Sequence, residues 1–142
     1  MADFLTYTSS SAEETKKIAE EFSKTLKSGD CLCMYGDLGA GKTAFVQGLA
    51  KGLLVDAYVN SPTFTIVNEY EGRLKLYHFD VYRIADPDEM FDIGFDEYLD
   101  GDGITVIEWA ELIEEILPQN RYNITITKEN GDDERKIVIE VI

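Results

Sequence analysis

Eight consecutive residues, Gly36-Asp37-Leu38-Gly39-Ala40-Gly41-Lys42-Thr43, satisfy the pattern G-x-x-x-x-G-K-[ST]. Glycines let the backbone curl until several N–H groups face one point, and a helix that starts there adds positive potential. A phosphate group suits that point. Lys42 is placed to reach β- and γ-phosphates, and the Thr43 hydroxyl to hold a magnesium ion that bridges them. The candidate nucleotide-binding residues are therefore Asp37, Leu38, Gly39, Ala40, Gly41, Lys42, Thr43 and Ala44.

Phosphate chemistry of this kind also needs a carboxylate near the metal, at the C-terminal end of a neighbouring strand. Two residues qualify as catalytic candidates. Asp80 closes the run Leu76-Tyr77-His78-Phe79, and Glu108 closes Ile104-Thr105-Val106-Ile107. One serves the metal and the other positions water; the residues alone leave the assignment open.

These groups meet only if particular elements carry them. Residues 4–8 suit a first strand, and Ser11 and Glu14 have capping-box spacing ahead of Ile18, Phe22 and Leu26, a helical stripe ending near Gly29. Residues 31–35 form an apolar run without alternation, as in a strand covered on both faces. The glycine loop follows it directly, then a helix through Phe45, Val46 and Leu49 to Gly52. Residues 65–70 and 73–79 read as strands joined at Glu71-Gly72, and Asp86-Pro87-Asp88-Glu89 starts a short acidic helix with a solvated face. Residues 103–108 are a further strand, 110–117 a short helix closed by Pro118, and 122–127 pairs with 136–142 across Asn130-Gly131. The expected fold is α/β: a mixed, mostly parallel sheet with antiparallel hairpins and flanking helices, a three-layer sandwich like that of P-loop NTPases. The whole chain, residues 1–142, reads as one domain of that kind.

Composition bounds the partners. Thirteen Lys and Arg against 28 Asp and Glu give a formal charge of −15, a field that repels phosphate backbones and anionic lipid. Direct binding to DNA or RNA is not expected. Apolar runs fall far short of the ~20 residues that cross a bilayer, and the first residues lack the basic start of a secretory signal. A cytoplasmic protein without a membrane partner is expected. Cys31 and Cys33 point to one side of their strand and read as buried, reduced thiols.

The chain resembles the TsaE (YjeE) family, the ATPase component of bacterial tRNA threonylcarbamoyladenosine synthesis. The resemblance rests on residues 36–43, Ser61-Pro62-Thr63-Phe64-Thr65, Tyr77-His78-Phe79-Asp80-Val81-Tyr82-Arg83 and Ile107-Glu108-Trp109-Ala110-Glu111, and it spans almost the whole chain. It implies the cofactors ATP and Mg2+, the partners TsaB and TsaD, and contact with tRNA only through their complex. It further implies that Lys42 and Thr43 bind phosphate and metal, that Asp80 and Glu108 are the acidic residues, with Glu108 joining Thr43 as candidate metal ligand, and that residues 63–65 form a switch-like loop. Trp109 is placed near the base.

From the residues themselves, Trp109 is equally suited to a core, His78 reads as a hydrogen-bonded structural histidine, and Arg83 suits a phosphate, a partner or a surface ion pair. The four arginines, Arg73, Arg83, Arg121 and Arg135, are scattered, which argues against a kinase. No Asn-Lys-x-Asp segment is present to recognise guanine, which favours ATP. Slow intrinsic hydrolysis with stimulation by a partner is expected. The alternative is a nucleotide-sensing module in which ATP binding, not hydrolysis, controls partner assembly.

Overall fold

The computed structural model describes residues 3–36, 41–59, 62, 66–129 and 133–142. Seven strands form one sheet: β1 (Asp3–Ser9), β2 (Cys31–Tyr35), β3 (Val67–Tyr70), β4 (Leu76–Asp80), β5 (Ile104–Glu108), β6 (Tyr122–Lys128) and β7 (Arg135–Val141), in the order β1-β7-β6-β2-β5-β4-β3. Strands β4, β5, β2 and β6 are a contiguous parallel core. Antiparallel pairs add β3 at one edge and β7, then β1, at the other. The expected mostly parallel character therefore holds for strand direction but not for pairing, since three of six pairings are antiparallel. The hairpin β6–β7 forms as expected, whereas Asn130 and Gly131 lie outside the described residues.

Period-two alternation along the buried strands sorts the core into two layers. Leu32, Met34, Ile104 and Val106 face α1 (Ala12–Ser23) and α2 (Lys42–Gly52), against Phe22, Phe45 and Leu49. Cys33, Phe79 and Ile107 face the other way, against α3 (Glu89–Asp92), α4 (Phe95–Leu99) and a 3-10 helix (Ala110–Ile116). Both thiols are free and buried, with Sγ atoms 3.9 Å apart.

Three boundaries differ from expectation for local reasons. Helix α1 starts as read, with the Ser11 hydroxyl accepting from the Glu14 N–H at 3.1 Å, but stops at Ser23 rather than near Gly29. The Ser23 and Thr25 hydroxyls donate to the carbonyls of Glu20 and Phe22 and occupy the acceptors that the helix would need to continue. Gly94, at φ +80°, divides the acidic segment into α3 and α4. The segment before Pro118 is 3-10 rather than α, with Ile113 outside helical φ/ψ.

Helices α1 and α2 are in near-backbone contact at Gly48, where a Cβ would collide with the Lys16 carbonyl and lie 2.8 Å from the Ala19 Cβ. Overpacking of about 1–3 kcal/mol then outweighs the ~1 kcal/mol that alanine adds to a helix. Gly48→Ala is expected to lower the urea unfolding midpoint; a raised midpoint would contradict this packing.

Candidate functional site

The C-terminal ends of the parallel strands set the site. Met34 of β2 pairs with Glu108 of β5, and Glu108 with Asp80 of β4, so residues 74 and 28 positions apart in sequence become lateral neighbours. Tyr35 then leads into Gly36, at φ +144°, and Gly41, at φ +106°, stands immediately before α2. Both values lie where glycine is favoured. Asp37, Leu38, Gly39 and Ala40, between them, lie outside the described residues, as do Ser61, Thr63, Phe64 and Thr65.

Gly41 brings no capping side chain to the N-terminus of α2. Positive dipole potential is thus presented where the loop returns. Lys42 is only 6% exposed; its Nζ donates to the Gly36 carbonyl at 2.7 Å and sits 3.6 Å from the centroid of the Trp109 ring. An ammonium this desolvated gains about 2 kcal/mol from the ring face. Thr43 and Ala44 follow in the first turn of α2, both partly buried.

Trp109 follows β5 directly and adopts φ +64°, a left-handed backbone in a bulky residue that costs about 1–3 kcal/mol. The strained turn aims its ring at Lys42 on one side and at Tyr82 on the other, the latter with centroids 4.9 Å apart. The ring therefore marks the lysine end of the site. Tyr82 is 56% exposed and Arg83 is exposed beside it.

Glu108 is buried, and its Oε2 lies 2.5 Å from the His78 Nε2. This matches the reading of His78 as a hydrogen-bonded histidine. Asp80 is half-buried and accepts the Tyr82 N–H on Oδ1 at 3.0 Å. Burial pushes its carboxyl above the ordinary value and the Glu108 charge adds to this, against lowering by the Tyr82 N–H, His78 and Lys42. The folded state holds this proton more tightly than the unfolded chain does, so ionised Asp80 subtracts stability once pH rises through its folded value. Asp80→Asn keeps the acceptor for Tyr82 and is expected to raise the melting temperature at neutral pH, with the gain vanishing below the carboxylate range. An unchanged melting temperature at neutral pH would refute that burial cost.

One part of the site carries no signal in the sequence. A cavity of about 110 Å³ adjoins Gly41 and Ala44 and is lined further by Ala12, Thr15, Asp133 and Arg135. Arg135 looks scattered in sequence, yet β7 brings its Nε to 3.8 Å from where a Gly41 Cβ would be. Only the β6–β7 pairing could have signalled this, and it needs the whole sheet order.

The oxygen donors of the site are those of Thr43, Asp80 and Glu108. No group of three His, Cys, Asp or Glu suited to a transition metal occurs among the described residues, whereas Mg2+ takes one or two carboxylates with substrate phosphates and water. No helix among the described residues is long and apolar enough to cross a membrane.

A family model described as threonylcarbamoyl adenosine biosynthesis protein TsaE matches residues 9–137. Curated relatives named tRNA threonylcarbamoyladenosine biosynthesis protein TsaE include that of Bacillus subtilis, 54% identical over 92% of this chain and 81% of the relative. That of Treponema pallidum is 42% identical over 92% of this chain and 96% of the relative. The crystal structure of Bacillus subtilis YdiB superposes with a TM-score of 0.83 at 45% identity, covering 100% of this chain and 88% of that one.

Proposed function

The chain belongs to the TsaE family, and from that premise we propose that it is a Mg2+-dependent ATP-binding protein and slow ATPase serving tRNA threonylcarbamoyladenosine biosynthesis. One observation carries the reading: Lys42 is buried between the Gly36 carbonyl and the Trp109 ring, at the start of a helix that follows a buried parallel strand. A buried, oriented ammonium beside a helix N-terminus is suited to polyphosphate and to little else. The two layers of helices around the sheet support a P-loop NTPase-like sandwich.

In this reading Lys42 and the α2 N-terminus bind the β- and γ-phosphates, and Thr43 with Glu108 holds the metal. A magnesium ion held there would supply charge neutralisation to the nucleotide. Asp80, one strand further and raised toward the neutral form by burial, orients the attacking water and holds its proton at Oδ2. Trp109 stands against Lys42 at the phosphate end. TsaB and TsaD are the partners, and they supply or organise the transition-state positioning.

A second reading is nucleotide sensing, favoured by the contact chain from Lys42 through Trp109 to exposed Tyr82. It carries the state of the phosphate site to the surface. Calorimetric titration of ATP with and without Mg2+ tests the common part of both readings. Binding that Mg2+ strengthens supports them; no ATP binding in either condition refutes both.

A further inference from the structure

We propose that His78 is a positioning residue that fixes the orientation of the Glu108 carboxylate through its Nε2–H, and so sets the metal requirement of the site. The inference rests on the reading of Glu108 as a metal ligand and adds a residue through which that ligand acts.

His78 and Glu108 sit on adjacent parallel strands, two residues out of register: His78 pairs with Val106, and Asp80 with Glu108. The pleat puts all four on one side of the sheet. Met34, the partner of Glu108 on β2, belongs to the layer that packs against α1 and α2, so this is the side from which Lys42 approaches. A carboxylate 3% exposed needs a donor there, and the His78 ring, with no exposure at all, provides one at 2.5 Å.

The other ring nitrogen decides which atom carries the proton. Nδ1 is buried with no hydrogen-bond partner among the described residues. A proton on Nδ1 would be an orphaned buried donor, rarer and costlier than an unused lone pair. The geometry therefore has the ring donating from Nε2 to Oε2, with Nδ1 as the unused lone pair. An apolar side chain at this interior position would take that donor away from the buried Glu108 Oε2. With Oε2 pinned, rotation about the last Glu108 torsion stops and Oε1 acquires a fixed direction. This is how outer partners orient the ligands of a metal, and their loss weakens metal binding about 10–100-fold.

The test uses chemistry that distinguishes the two nitrogens. Glutamine places an amide N–H where Nε2–H was, whereas asparagine places its own nearer Nδ1. His78→Gln is expected to keep the Mg2+ concentration for half-maximal ATP binding within ~3-fold of wild type, and His78→Asn and His78→Leu to raise it ~10-fold or more. ATP binding without metal stays unchanged in all three variants, and it is the Mg2+ requirement, which a merely structural histidine would leave alone, that separates His78→Gln from His78→Asn. Because this is the only histidine in the chain, nitrogen NMR of histidine-labelled protein reads its tautomer directly, with the proton expected on Nε2. A proton on Nδ1, or an unaltered Mg2+ requirement in His78→Leu and His78→Asn, overturns the inference. Wild-type ATP binding that ignores Mg2+ overturns instead the reading on which it rests, and the wild-type titration alone tells the two failures apart.

Discussion

Lys42→Ala is expected to weaken ATP binding at least ~100-fold while the chain stays folded. Charge-assisted hydrogen bonds contribute about 1.5–3 kcal/mol each, and an ammonium bridging two phosphates makes two of them, so a loss of about 3–4 kcal/mol corresponds to 10²–10³ in affinity. The fold survives because the loss of the Gly36 hydrogen bond and the Trp109 ring contact is offset by removal of a buried charge. Calorimetry at saturating Mg2+ checks the affinity, and circular dichroism the fold. A change below tenfold would remove Lys42 from the phosphate site.

The second large effect concerns Glu108. Glu108→Gln keeps the shape and an oxygen to accept from His78, and so preserves the buried pair while deleting the negative charge. With Mg2+ in excess, ATP affinity is expected to stay within tenfold, while the single-turnover rate of hydrolysis falls ~100-fold or more, the usual scale for losing one electrostatic or acid-base group. Rapid-quench measurement with the partners present reads this. Full in vivo function with hydrolysis lost would favour the sensing reading; an unchanged rate would exclude Glu108 from the chemistry.

Much of the site was legible in sequence because its parts are local. The glycine loop, Lys42 and Thr43 lie within eight residues, and the loop's setting between an apolar run and a helical stripe fixes their geometry. Asp80 and Glu108 were readable as strand ends, and the β4–β5 pairing brings them together. What was not legible depends on long-range register. The His78–Glu108 hydrogen bond, the approach of Arg135 to Gly41 and the contact of Trp109 with Lys42 each need strand order and side-chain direction. Helix ends failed for the opposite reason: hydroxyl groups at Ser23 and Thr25 compete for backbone carbonyls in a way that apolar periodicity does not register.

In the proposed function, this chain binds ATP at Lys42 and hydrolyses it slowly until partners complete the site. Single-turnover ATP hydrolysis, measured for the protein alone and again with TsaB and TsaD, with Lys42→Ala as control, tests it most directly. The account predicts a slow basal rate, marked stimulation by the two partners and none in the variant. A basal rate equal to the rate in the assembled complex would contradict it.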